Sequence, residues 1–226
     1  MSDPAHRLAL SLAAQVTGKG TVPIPRRPTG NGDGSFPRRE PLARPELPDA
    51  DGLLLHHTCP TCASTEHGVP YTVASGRRVA LSLARAAGAV AAAAALDAAV
   101  GIDLETVDAA GFDGFAAVAL HPDEPQPRDA RAASRLWVRK EAVLKALGQG
   151  LRIDPRTLLL SAGNQTADQP GDQPRVLAWP DPRPPSVLDL RDLDAPAGYV
   201  AALAVIGGRG AEYTHAVIRL DTSEVV

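Results

Sequence analysis

Asp103 and Glu105 are carboxylates separated by one residue, in a stretch where Val100, Ile102 and Leu104 alternate with Gly101, Asp103 and Glu105. In an extended strand the two acids point to the same face, roughly 7 Å apart at about 3.3 Å rise per residue. Carboxylates so placed can converge on one hard cation. Mg²⁺ is the natural candidate, with Mn²⁺ as a substitute, because it takes oxygen ligands from one or two carboxylates together with substrate phosphate. The plain alternative is a half-buried strand with a solvated acidic face.

The lysines are the second signal. Of 23 basic residues 20 are arginine, and the three lysines are Lys19, Lys140 and Lys145. With 40 alanines and 21 prolines, this reflects a coding bias that replaces lysine wherever arginine will serve. Two lysines five residues apart therefore suggest a site that wants an ammonium. On a helix, Ala133, Leu136, Trp137, Val143, Leu144 and Leu147 form one apolar stripe with Lys140 in its middle. A lysine so placed must meet an anion, and a phosphate is one candidate. Glu141 and Lys145 stand four apart, where a surface pair contributes only about 0.3–0.5 kcal/mol.

The elements that must position these groups are a strand over 98–105 and a helix over 129–147, closed by Gly148 and Gly150. Upstream, His6 to Val16 reads as a short helix. The segment 18–51 is rich in Pro, Gly and Arg and irregular, and 79–83 and 89–96 read as strands joined by a turn at Gly88. Downstream, 175–179, 186–190, 199–206 and 215–220 read as short strands, with a polar loop over 162–174. Helix followed by strands occurs in both halves. The expected architecture is α+β with two comparable subdomains, 1–97 and 98–226, the second carrying the acidic and lysine motifs.

Gly101-Ile102-Asp103-Leu104-Glu105 and, about three dozen residues later, Trp137-Val138-Arg139-Lys140-Glu141-Ala142-Val143-Leu144-Lys145 are similar to two ordered signatures of one family. The sequence resembles the 4′-phosphopantetheinyl transferases of the surfactin type. The resemblance implies a pseudo-twofold fold with coenzyme A in the cleft between the halves. It implies transfer of the 4′-phosphopantetheine arm to a serine of an apo acyl or peptidyl carrier protein, releasing adenosine 3′,5′-bisphosphate. Carried over to this chain, it makes Asp103, Glu105 and Glu141 the Mg²⁺ ligands, with Glu141 also taking the serine proton. Lys140 and Lys145 would neutralise phosphate charge, Lys145 at the catalytic centre. Ser82, Gly68 and Pro70 would line the coenzyme site, and Arg38, Arg39 and Arg78 would supply phosphate contacts.

Two positions depart from the family pattern. Leu83 stands where a histidine commonly follows Ser82, and Val69 stands between Gly68 and Pro70 in place of a basic residue. They favour an alternative in which a catalytically weak or inactive member binds coenzyme A or a carrier protein; Arg85 or Arg78 could compensate. Cys59-x₂-Cys62, with His56, His57 and His67 nearby, has zinc-type ligands but lacks a second Cys/His pair at zinc-finger spacing. A turn with reduced thiols is the plainer reading, and a zinc-dependent binding module the rival one. His121 ahead of Pro122-Asp123-Glu124 reads as a capping turn before the helix.

Composition bounds the rest. The net charge of −3 gives no basic field for nucleic acid, and no apolar run is long enough for a membrane span. There is no P-loop, dinucleotide glycine pattern or nucleophile elbow. Two cysteines and no charged-then-apolar leader give the expectation of a cytoplasmic protein without a disulfide framework, and a monomer is expected.

Overall fold

The computed structural model describes residues 3–17, 52–161, 163, 173–180, 185 and 187–220. The irregular 18–51 segment with Arg38 and Arg39, and most of the 162–174 loop, lie outside the described residues.

A large antiparallel sheet is packed against helices. Its order is β1 (His56–Thr58), β2 (Val69–Ala74), β3 (Arg77–Ala86), β4 (Ala89–Thr106), β8 (Tyr199–Arg219) and β7 (Leu188–Leu193). Helix α1 spans Pro4–Thr17, α2 Phe115–Ala119 and α3 Ala130–Ala146, and a separate ladder joins β5 (Leu159–Leu160) to β6 (Val176–Ala178). No helix among the described residues is long and apolar enough to cross a membrane.

The strands expected over 89–96 and 98–105 are one strand. β4 runs through both, with a register shift against β8 between Leu96 and Ala98, where Asp97 has a φ of 53°. Likewise 199–206 and 215–220 are parts of the single β8. The shift changes side-chain parity. Before it, Val90, Ala92, Ala94 and Leu96 pack with Leu8 and Leu12 of α1. Ala91, Ala93 and Ala95 share a cluster with Val100, Ile102 and Leu104 from beyond the shift. Two odd-numbered positions beyond it, Gly101 and Asp103, are left on the face that α3 covers.

Helix α3 begins at Asp129, whose Oδ1 accepts from Ala132 N at 2.7 Å. That cap is worth about 1 kcal/mol. The turn at His121 is therefore not the cap of α3, a correction to the sequence expectation. It is closed by Glu124, whose Oε2 accepts from His121 N at 2.9 Å. Val138, Ala142, Val143 and Ala146 pack α3 onto Val200, Ala202 and Ala204 of β8.

Candidate functional site

Gly101 sets the distance between the strand and the helix. A Cβ there would lie 1.9 Å from Ala142 O and 2.5 Å from Ala146 N, so only glycine lets the α3 backbone rest on β4. Glu141 and Lys145, on the adjoining turns of α3, thereby face Asp103 and Glu105, two and four residues along the strand.

Lys145 Nζ donates to Asp103 Oδ1 at 2.6 Å and to the carbonyls of Ile102 at 3.2 Å and Leu83 at 3.5 Å. Its side chain remains 28% exposed, so the ammonium can still meet a ligand. Asp103 Oδ2 is buried and has no hydrogen-bond partner among the described residues. Burial pushes the Asp103 carboxyl up against the opposing pull of Lys145. Glu105 is also raised, by burial first and by the Asp103 charge second. Glu141 is pushed up to about 7, again by burial first and then by Asp103 and Glu105. Three carboxylates thus crowd one partly desolvated region with a single lysine between them, an arrangement that disfavours their ionised forms until more positive charge arrives.

This fits a divalent cation. The unpartnered Asp103 oxygen and the two raised glutamates are hard oxygen donors of the type Mg²⁺ takes. Their oxygens are not drawn to one point: the described residues contain one group of three Cys, His, Asp or Glu side chains with donor atoms within 4.8 Å, and it lies elsewhere.

Lys140 does not join them. It is fully buried, and its Nζ donates to Glu124 Oε2 at 2.6 Å, Ala119 O at 2.7 Å and Pro155 O at 3.1 Å. Unlike Lys145, whose side chain is partly exposed, Lys140 is sealed from solvent with all its acceptors inside the protein. The expectation of a phosphate contact is corrected here, because the anion that compensates Lys140 is Glu124. Glu124 Oε1 also accepts from Leu160 N at 2.9 Å, so this pair ties α3 to the turn after α2 and to β5.

The coenzyme-lining candidates are dispersed. Ser82 is buried, and its Oγ accepts from Ile102 N at 3.0 Å, which places it one residue from Asp103. Leu83 lends its carbonyl to Lys145, while its side chain packs against the α1 cluster. Arg78 lies over the Tyr71 ring, 3.5 Å from its centroid, and Arg85 pairs with Asp3 at 2.8 Å. Both guanidinium groups thus have protein partners. Gly68 has a φ of 110° and approaches Cys59, and Pro70 pairs with His57. This turn reaches the end of α3, where a Cβ on Gly148 would lie 3.0 Å from Val69 Cγ2.

Two buried contacts that hold α3 in place had no signal in the sequence. Glu124 was legible only as part of a turn, and Arg139, on the buried side of α3, forms a two-pronged pair with Asp192 at 2.7 Å for each bond.

Comparison with known families gives one match, in which residues 99–204 fit the model of the 4′-phosphopantetheinyl transferase superfamily. The matched stretch contains Asp103, Glu105, Glu141 and Lys145; it does not contain Gly68, Pro70, Arg78 or Ser82. The match is to the superfamily and does not distinguish the surfactin type. No curated protein matches the chain.

Proposed function

We propose that this chain is a Mg²⁺-dependent phosphopantetheinyl transferase acting on an apo acyl or peptidyl carrier protein in the cytoplasm. The observation that carries the reading is the meeting of Asp103, Glu105, Glu141 and Lys145 across the Gly101 contact, inside the stretch that matches the superfamily. In this reading the first half of β4 with β3, and its second half with β8 and β7, belong to two related halves of a pseudo-twofold fold.

The carrier serine hydroxyl forms a bond to the phosphorus that carries the pantetheine arm. The bond from that phosphorus to the bridging oxygen breaks, and adenosine 3′,5′-bisphosphate leaves with the electron pair. Asp103, Glu105 and Glu141 would hold Mg²⁺, which when bound supplies positive charge against the pyrophosphate. Glu141 takes the serine proton. Lys145, exposed on one side and anchored by Asp103 on the other, presents its ammonium to the phosphate charge. Lys140 serves the fold that carries the site.

Leu83 supports a second reading, in which coenzyme A or a carrier protein is bound without transfer. Arg78 and Arg85, which could replace the histidine, are engaged with Tyr71 and Asp3. Turnover separates the two. An apo carrier protein incubated with coenzyme A, Mg²⁺ and the chain should gain the mass of one phosphopantetheine arm, and should not gain it after metal is stripped with EDTA. No gain across a panel of apo carriers, with coenzyme A binding retained, would establish the second reading.

A further inference from the structure

Away from the acidic cleft, Cys59, Cys62 and His67 each bring one ligand atom within 4.8 Å of the others, and no other trio among the described residues does so. Cys62 Sγ lies 3.5 Å from His67 Nε2. The turn that gathers them is closed at both ends: Ala63 N donates to Cys59 O and Cys59 N donates to Ser64 O, each at 2.9 Å. Ala63 has a φ of 57°, an uncommon conformation for a residue with a side chain.

The return of the chain toward the cysteines depends on Gly68. A Cβ at that position would sit 2.5 Å from the Cys59 backbone. Glycine therefore lets His67 come alongside the two sulfurs, a convergence that a plain turn with reduced thiols does not require.

We propose that Cys59 Sγ, Cys62 Sγ and His67 Nε2 bind a zinc ion. Two thiolates balance its charge, and sulfur with imidazole is the donor set that zinc prefers over Mg²⁺ or Ca²⁺. Cys62 and His67 are exposed, so the fourth coordination position faces solvent and takes water. The ion has a positioning role. It fixes the Cys59–Gly68 turn, which Arg152 also holds through Thr61 Oγ1 at 2.8 Å, against the end of α3. It would thereby set the place of Gly68 and Val69 against the residues that follow α3.

The test uses the full chain, purified in reductant, stripped of metal and reloaded with Zn²⁺ or Co²⁺. About one zinc per chain should be retained through gel filtration, and the cobalt form should show tetrahedral ligand-field bands with thiolate-to-cobalt charge transfer. Cys62→Ser and His67→Ala, both at exposed positions, should keep the far-ultraviolet spectrum and weaken zinc binding about 100-fold or more. Asp103→Asn should retain both zinc and the cobalt spectrum, which separates this site from the acidic one and from the transferase reading. The proposal is overturned if the reduced, folded chain retains no zinc, if Cys62→Ser binds zinc and cobalt as the parent does, or if Cys59 and Cys62 form a disulfide as the resting state in reductant.

Discussion

Lys145 occupies one oxygen of Asp103 and leaves the other, buried, without a partner among the described residues. The lysine therefore neutralises the carboxylate without saturating it. If a divalent cation takes the open side, Asp103→Asn should abolish Mg²⁺-dependent protection against thermal unfolding. Transfer should fall by roughly 10²-fold or more, since a charged group at the reacting phosphate is lost. Calorimetry with and without Mg²⁺, alongside the carrier mass assay, reads both effects. Unchanged Mg²⁺ protection in the variant would remove Asp103 from the ligand set.

Glu141 gives a pH dependence of defined sign. Its carboxyl, raised to about 7 in the folded metal-free chain against an ordinary value near 4.5, binds a proton in the folded state where the unfolded state has released it. Stability from this group is thus present in acid and falls as pH rises from about 4.5 through 7. Glu141→Gln should flatten that slope in urea titrations across the window. Mg²⁺ should stabilise the parent more at pH 8 than at pH 6, because the proton competes with the ion.

The two lysines of α3 should separate cleanly. Lys140→Met leaves Glu124 buried and unpaired, so it should destabilise by about 3–5 kcal/mol, measured by denaturant unfolding. Adding Glu124→Gln should recover much of that loss. Lys145→Ala leaves buried Asp103 without its ammonium partner and should also lose stability, but unlike the Lys140 variant it should bind coenzyme A more weakly, with only partial rescue by Lys145→Arg, because a planar guanidinium does not replace a compact ammonium. A strong loss of coenzyme A affinity in a folded Lys140 variant would overturn the assignment of Lys140 to the fold.

Gly101→Ala tests the close approach. With a methyl group directed into the Ala142 carbonyl, α3 must move off β4, and about 3 kcal/mol, the upper part of the usual overpacking range, should be lost. Transfer should fall further than stability alone explains, since Glu141 and Lys145 move with the helix. Parent-like transfer would show that the strand and helix need not touch.

The chemistry-bearing pattern was legible because period two on β4 and period 3.6 on α3 are local. Asp103, Glu105, Glu141 and Lys145 fall together for that reason. Lys140 illustrates what local pattern omits: its place on a buried stripe demanded an anion, but the choice of Glu124, from the turn after α2, is made by tertiary packing. The continuity of β4 was hidden by alanine, a weak strand former, and by the irregularity at Asp97, which divides one strand into two patterns of opposite parity. Nothing local marks Arg139 for a buried pair, because its partner Asp192 comes from β7.

The ladder between β4 and β8 sets the order in which the chain can assemble. Ala89 pairs with Arg219 and Thr106 with Tyr199, so nearly every contact along it joins residues about a hundred or more apart. β3 and the first half of β4 need only the Ala87–Gly88 turn to meet. The hairpin forms early and cheaply, whereas closing the large loop to β8 is slow and unrewarded until it is complete. During that interval Ala91 to Ala95 expose an unpaired, uncharged edge, and that edge is where a nascent or heat-stressed chain should first associate with its own copies.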